Sequence, residues 1–199
     1  MLSLTSDKGG VGKSTLAVNL AGALSRNNRT ILIDEDPIES CLTWAQRSHA
    51  LDFPVVTPGA LDTYPLKDFR FVLIDTEGRP EFEEVLELLN SSTLVLVPCG
   101  TSGIELDATI KLVRRLDAAE AKLDKLKVVI TKAPPVGTVG HQARDALAAQ
   151  DVPVARAVVR NYAAHQRAPE LGVLVRDVPD PRAGQAWSDI LELAMEVMR

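Results

Sequence analysis

Six short apolar runs punctuate the chain, at residues 2–5, 30–34, 71–75, 93–98, 127–131 and 154–159. Within most of them the apolar residues are continuous rather than alternating, as in "ILID", "LVLVP" and "VVIT". That is the pattern of strands covered on both faces. Between the runs the spacing shifts to the helical period, over residues 13–26, 39–50, 80–90, 103–123, 141–150 and 184–199. There is no internal repeat, low-complexity tract or inter-domain linker. Strand and helix alternating through 1–199 predict one α/β domain, a mostly parallel sheet flanked by helices on both faces. Ligands of such sheets bind beyond the carboxyl ends of the strands, so the chemistry is sought where the apolar runs stop.

The first run stops at "SDKGGVGKST", Ser6 to Thr15. The usual phosphate-loop pattern places a glycine five residues before the final Gly-Lys; here Asp7 stands there, while Gly9, Gly10 and Gly12 supply the backbone freedom. A strand, a glycine-rich loop and a helix in that order aim backbone N–H groups and the positive helix end at phosphate. Lys13 is placed to pair with the outer phosphates, Ser14 to ligate Mg²⁺ and Thr15 to bond an inner phosphate. A phosphate site needs only one lysine, so Lys8 calls for a separate explanation. The second run ends "IDEDP", with Asp34 and Asp36 two apart, and Asp36-Pro37 also reads as a helix opening. The third ends "LIDTEGRP", which puts Asp75 where a carboxylate can hold Mg²⁺ through water. Glu77 beside it receives no role.

Composition narrows the partners. The chain has 199 residues, 46% hydrophobic and 25% charged, and a formal net charge of −5, so any nucleic-acid binding must use a local basic patch. No apolar stretch is long enough to span a membrane, no leader precedes the first strand, and the expected compartment is the cytoplasm. Cys41 and Cys99 offer no disulfide framework and no cluster-ligand spacing, and read as buried thiols. His49, His141 and His165 are scattered without zinc-ligand spacing.

The signature "KGGVGKST", the complete "DEDP" box and Asp75 together resemble the ParA/MinD class of P-loop ATPases with a deviant Walker A loop. The resemblance covers the whole chain and is most specific over its first 36 residues. It implies a P-loop NTPase fold, ATP and Mg²⁺ as ligands, and a homodimer closed around nucleotide. Lys8, Gly9, Gly10, Val11, Gly12, Lys13, Ser14 and Thr15 then form the phosphate loop, with Lys8 reaching the nucleotide of the other subunit. Lys8, Lys13 and Asp36 become the catalytic set, Asp36 orienting the attacking water. Ser14, Asp34, Asp36 and Asp75 become the metal set. Relatives usually carry prolines after Asp75, and Thr76-Glu77-Gly78-Arg79 departs from that. The class places the base between two later loops, which here hold Thr131 and Lys132, then Arg160 and Asn161. Pro134 and Pro135 leave adenine to backbone groups.

By the same resemblance the function expected first is DNA partition: ATP-gated, sequence-independent DNA binding at the nucleoid, and hydrolysis stimulated by a ParB-like centromere-binding partner. With nothing before the first strand, operator binding through a helix-turn-helix is not expected. Arg160, Arg167, Arg176 and Arg182, with Lys111, Arg114 and Arg115, are the basic candidates. One alternative keeps the ATPase and makes a protein cluster the cargo; another is a synthetase that phosphorylates a carboxylate. The terminal segment is amphipathic, but its polar side carries Asp189, Glu192 and Glu196 against Arg199 alone. That predicts a packed closing helix rather than a membrane anchor.

Overall fold

A computed structural model describes residues 1–48 and 50–198; His49 and Arg199 lie outside the described residues. The strands are β1 (Leu2–Ser6), β2 (Thr30–Asp34), β3 (Val55–Val56), β4 (Phe71–Gly78), β5 (Leu94–Cys99), β6 (Leu126–Ala133) and β7 (Val154–Arg160). They form one sheet in the order β3-β2-β4-β1-β5-β6-β7, and every neighbouring pair is parallel. β1 is central. Its successor β2 lies beyond β4 on one side, and β5, β6 and β7 fill the other. The sheet therefore has its switch point at β1, and the loop leaving β1 opens into the crevice that results.

The helices are α1 (Lys13–Ser25), α2 (Ser40–Gln46), α3 (Phe82–Ser91), α4 (Gly103–Ala118), α5 (Val139–Ala148), α6 (Ala163–Leu171) and α7 (Ala183–Val197). Alternate strand residues feed opposite layers. Leu96 and Leu32 join the core under α1, α2, α6 and α7, while Val95, Val97 and Cys99 join the one under α3, α4 and α5. Ile31, Ile33, Val72 and Ile74 are covered by two short 3₁₀ segments, Pro58–Thr63 and Leu66–Asp68, instead of a helix.

Three expectations change. β3 and α6 are additional elements. The α4 helix stops at Ala118, its C-cap N–H bonded back to Arg115, rather than running to 123. And the terminal helix turns part of its polar side inward. Asp189 is buried and binds the Arg160 guanidinium and backbone N–H, the latter at 2.9 Å. Glu196 accepts the N–H groups of Arg156 and Ala157 at 3.1 and 2.7 Å. These carboxylates serve β7, so charge periodicity alone misplaced them. Among the described residues no helix is long and apolar enough to cross a membrane.

α6 is fixed by its end. Gly172 adopts φ 67° and its N–H bonds Ala168. A β-carbon there would stand 2.5 Å from the Arg47 carbonyl oxygen and 2.9 Å from the Ser48 nitrogen. Both obstacles are backbone. Gly172→Ala is expected to cost about 2–5 kcal/mol, left-handed strain plus overpacking, as measured by denaturant unfolding.

Candidate functional site

The loop from Ser6 to Gly12 reaches α1 through two left-handed glycines, Gly10 at φ 80° and Gly12 at φ 94°. A residue with a β-carbon would be strained at both. α1 then begins in an unusual way. It has no side-chain cap and no acid in its first turn, and its first residue is a lysine. The free N–H groups and the positive dipole end are left for an anion from outside. Thr131 holds the loop from below: its hydroxyl donates to the Val11 carbonyl at 2.8 Å.

Opposite the loop stand the carboxylates. β2 and β4 pair with Asp34 directly beside Asp75. Lys13 is buried between β4 and the loop after β2, its Nζ 2.8 Å from Asp75 Oδ1 and 3.1 Å from Asp36 Oδ2. Burial by itself lowers the Lys13 pKa, but Asp75 and Asp36 outweigh it and hold the ammonium above its usual value. Asp34 accepts the N–H of Leu42 at 2.9 Å and that of Asp36 at 3.3 Å. Burial and then, against those bonds, the Asp75 charge push its carboxyl up. Asp36 Oδ1 accepts the Ile38 N–H at 3.0 Å, so this residue both fastens the turn leading to α2 and faces Lys13. Cys41 donates to Asp75 Oδ2 at 3.2 Å. Burial, reinforced by Asp75 and Asp34, raises its thiol well above the ordinary range. It is an inert neighbour rather than a nucleophile. Cys99 is buried as well.

Three carboxylates against one ammonium leave an excess of negative charge at this point. Asp34 and Asp75 stand in one compact group with the Cys41 thiol, their ligand atoms within 4.8 Å of one another. The thiol is held protonated, so the donors left are hard oxygens, those of the carboxylates and of the half-buried Ser14 hydroxyl. That set fits a small divalent cation such as Mg²⁺.

A cavity of about 620 Å³ extends from the phosphate loop. Its near end is bordered by Gly9 through Thr15, Asp36, Glu77 and Arg79, and its far end by Leu16, Trp44, Val159, His165 and Ile190. The expected base-side residues divide. Lys132, at φ 52°, lies over the loop, its Cε 3.8 Å from where a Gly12 β-carbon would be. With Thr131 it belongs to the phosphate end. Arg160 and Asn161 border the cavity too, but the Arg160 guanidinium is bound by Asp189, which raises its pKa. The α6 residues His165, Gln166 and Pro169 complete the wall. His165 Nε2 is buried without a hydrogen-bond partner, and burial pushes the imidazole toward its neutral form. Sequence reasoning missed this wall because Pro169 sits inside α6; the alanines and the closing Gly172 were the available signal.

Lys8, like Asp7 before it, does not border the cavity. It is 62% exposed, 3.5 Å from Glu105 Oε1 at the start of α4. Glu105 is held there by a capping box with Ser102, whose hydrogen bond, more than Lys8, keeps its carboxyl below the usual range.

The basic candidates do not form one patch. Lys111, Arg114 and Arg115 are on α4, whereas the other four lie at the β7–α6–α7 side of the sheet, across it from α4. Most are engaged: Arg114 by Gln150, Arg115 over Phe82, Arg167 by the Pro179 carbonyl, Arg176 by Asp177 and over Trp187.

The model of the family described as "CobQ/CobB/MinD/ParA nucleotide binding domain" matches residues 2–186. The maintenance of carboxysome distribution protein A of Gloeobacter kilaueensis is 28% identical over 206 residues, covering 100% of this chain and 94% of that protein. Its namesake in Halothiobacillus neapolitanus is 23% identical over 209 residues, covering 99% and 95%. Among solved structures, the MinC:MinD cell division protein complex of Aquifex aeolicus superposes with a TM-score of 0.74 at 14% identity, covering 99% of this chain and 95% of that one.

Proposed function

The chain belongs to the CobQ/CobB/MinD/ParA family of nucleotide-binding domains, and we propose that it is an ATP-hydrolysing positioning protein whose cargo is a protein assembly. ATP binding closes two copies around nucleotide; hydrolysis releases them. The observation that carries this is the division of labour between the two lysines. Lys13 is buried at the chain's own phosphate site, while Lys8, five residues earlier, stands outside that site, largely exposed and paired among the described residues only with Glu105. A cation so placed serves a phosphate that its own chain does not hold. At the carboxyl edge of the sheet, the loops and helix starts that follow β2, β5 and β6 expose Ile38, Ile104 and Val136 at 78%, 83% and 76%. These apolar side chains suit a face that a second copy covers.

Ser14, Asp34, Asp36 and Asp75 would hold Mg²⁺, which supplies charge neutralisation at the outer phosphates. The chain's own residues do the rest. The loop N–H groups and Lys13 orient the triphosphate, and Asp36, at the cavity wall beside Lys13, accepts a proton from water. In-line attack by water breaks the bond to the terminal phosphoryl group, giving ADP and phosphate.

DNA partition with a ParB-like partner is the weaker reading of the cargo. Both curated relatives are carboxysome-distribution proteins, and the arginines expected to bind DNA are mostly engaged within the chain. The synthetase reading asks for further basic and hydroxyl groups beyond the phosphate loop, where Leu16, Trp44, Val159 and Ile190 make the far end largely apolar.

Sedimentation with Mg²⁺ and either ADP or a non-hydrolysable ATP analogue tests the cycle. The expected result is a dimer with the analogue and a monomer with ADP. Lys8→Ala is expected to bind the analogue within about threefold of the unaltered protein, yet stay monomeric and lose about tenfold or more in turnover. If the unaltered protein binds the analogue and still sediments as a monomer, the proposal is overturned. In cells, loss of the gene should clump a protein assembly while leaving replicons evenly inherited; the reverse outcome returns DNA as the cargo.

A further inference from the structure

Between β4 and α3 stands an arginine that the site as described leaves idle. The pairing of β4 with β1 slips between Asp75 and Gly78, and Glu77, inside that irregularity, borders the cavity whose phosphate end Asp75 underlies. Arg79 follows directly after β4 and borders the same cavity. Its backbone takes φ 63°, where a β-carbon crowds the following carbonyl at a cost of about 1–2 kcal/mol. Gly78, immediately before it, could adopt that conformation without penalty, yet its φ is not in the left-handed range. The left-handed turn falls on the arginine while the adjacent glycine stays ordinary.

That turn is pinned. The Arg79 N–H donates to the Ser6 carbonyl at 2.7 Å, and Ser6 is the last residue of β1, directly before the phosphate loop. Arg79 is thus anchored to the base of the loop that binds phosphate, and it borders the same cavity as Gly9, Gly10 and Lys13. Its guanidinium makes no ion pair and no side-chain hydrogen bond among the described residues. Arg144, Arg160 and Arg176, by contrast, are each held by a carboxylate. Strain in a residue bordering a binding cavity, tied to the loop and carrying an unpaired charge, points to a partner brought by the ligand.

We propose that Arg79 is a catalytic residue supplied by the same chain, whose guanidinium binds the terminal phosphoryl group of ATP. This rests on reading the cavity as an ATP-hydrolysing site. As the water oxygen bonds to the terminal phosphorus, the bond to the bridging oxygen breaks and its electron pair leaves with ADP; the proton of the water passes through Asp36 to the released phosphate. Charge spreads over the equatorial oxygens during that exchange, and a planar, permanently charged fork matches two of them at once. Glu77 brings a negative charge to the same wall, and Arg79 offsets it there. A group that contacts only the outermost phosphate also distinguishes ATP from ADP.

Arg79→Gly separates this role from a structural one, because it relieves the backbone while deleting the cation. Thermal stability is expected to hold or rise, and ADP affinity to stay within about twofold. The ATP turnover number should fall about tenfold or more, by more than KM changes. Arg79→Lys should recover part of the turnover without recovering the preference for ATP over ADP. Unchanged turnover in Arg79→Gly, or equal losses of ATP and ADP affinity, would overturn the assignment. So would unchanged DNA-free turnover accompanied by lost salt-sensitive DNA binding, which would make Arg79 a nucleic-acid contact. If the unaltered protein does not hydrolyse ATP at all, the parent reading fails first and this one with it.

Discussion

Lys13→Ala is expected to weaken ATP and ADP binding by about a hundredfold or more and to destabilise the nucleotide-free protein at the same time. The two losses have one cause. Lys13 is 7% exposed and its ammonium is shared between Asp75, which is fully buried, and Asp36. Removing it deletes the strongest cation available to the outer phosphates, where hydrogen bonds to charged groups contribute about 1.5–3 kcal/mol each. It also leaves buried carboxylates without their counter-charge, a change that typically costs about 3–5 kcal/mol. In a chain of 199 residues that corresponds to a fall in Tm of about 10 °C. The sign of the pH dependence follows from Lys13 itself. Its pKa lies above the unfolded value of 10.5, so its contribution is fully present below pH 10.5 and fades only as the pH climbs through the higher folded value. Melts at neutral pH therefore read the whole effect. Lys13→Met, which fills the space without charge, should restore some packing and none of the nucleotide binding. If Lys13→Ala binds ADP normally by calorimetry, phosphate is not held by this loop.

The parts of this site that were legible in the sequence are those whose physics is local. A phosphate loop is a strand end, two left-handed glycines and a helix start within one stretch, and Gly10, Gly12 and Lys13 announce it without reference to the rest of the chain. Asp34 and Asp75 are similarly readable, because each ends a continuous apolar run and parallel strands bring their carboxyl ends to one edge. What could not be read depends on pairings distant in sequence. Asp189 looks like a solvated charge by helical period, and only the packing of α7 on β7 reveals Arg160 as its partner. The same contact takes the Arg160 guanidinium away from the roles expected of it. Thr131 is visible at a strand end, but that its hydroxyl supports Val11 follows from the β1–β5–β6 order, which no local pattern encodes. The left-handed Arg79 is least legible of all. A sequence reader assigns such a turn to the glycine beside it.

Asp36→Ala should separate binding from cleavage more sharply than any other substitution. The Asp36 carboxylate divides its oxygens between the Lys13 ammonium at 3.1 Å and the Ile38 N–H at 3.0 Å, and it is 13% exposed. A triphosphate that draws Lys13 toward itself frees one carboxylate oxygen at the cavity wall, where a water can be held and its proton accepted. Loss of a general base typically costs about 10²–10⁴-fold in rate. Affinity should move the other way, since one negative charge fewer faces the phosphates. Asp36→Ala is thus expected to bind ATP at least as tightly as the unaltered protein, to hydrolyse it at least about a hundredfold more slowly, and to sediment as a dimer in plain Mg·ATP without any analogue. Asp36→Asn tests the competing explanation that Asp36 only fastens the turn. An amide still accepts the Ile38 N–H but does not take up a proton. If the carboxylate works on water, Asn behaves like Ala; if it works only as a tether, Asn restores turnover while Ala does not, and the proton leaves by another route.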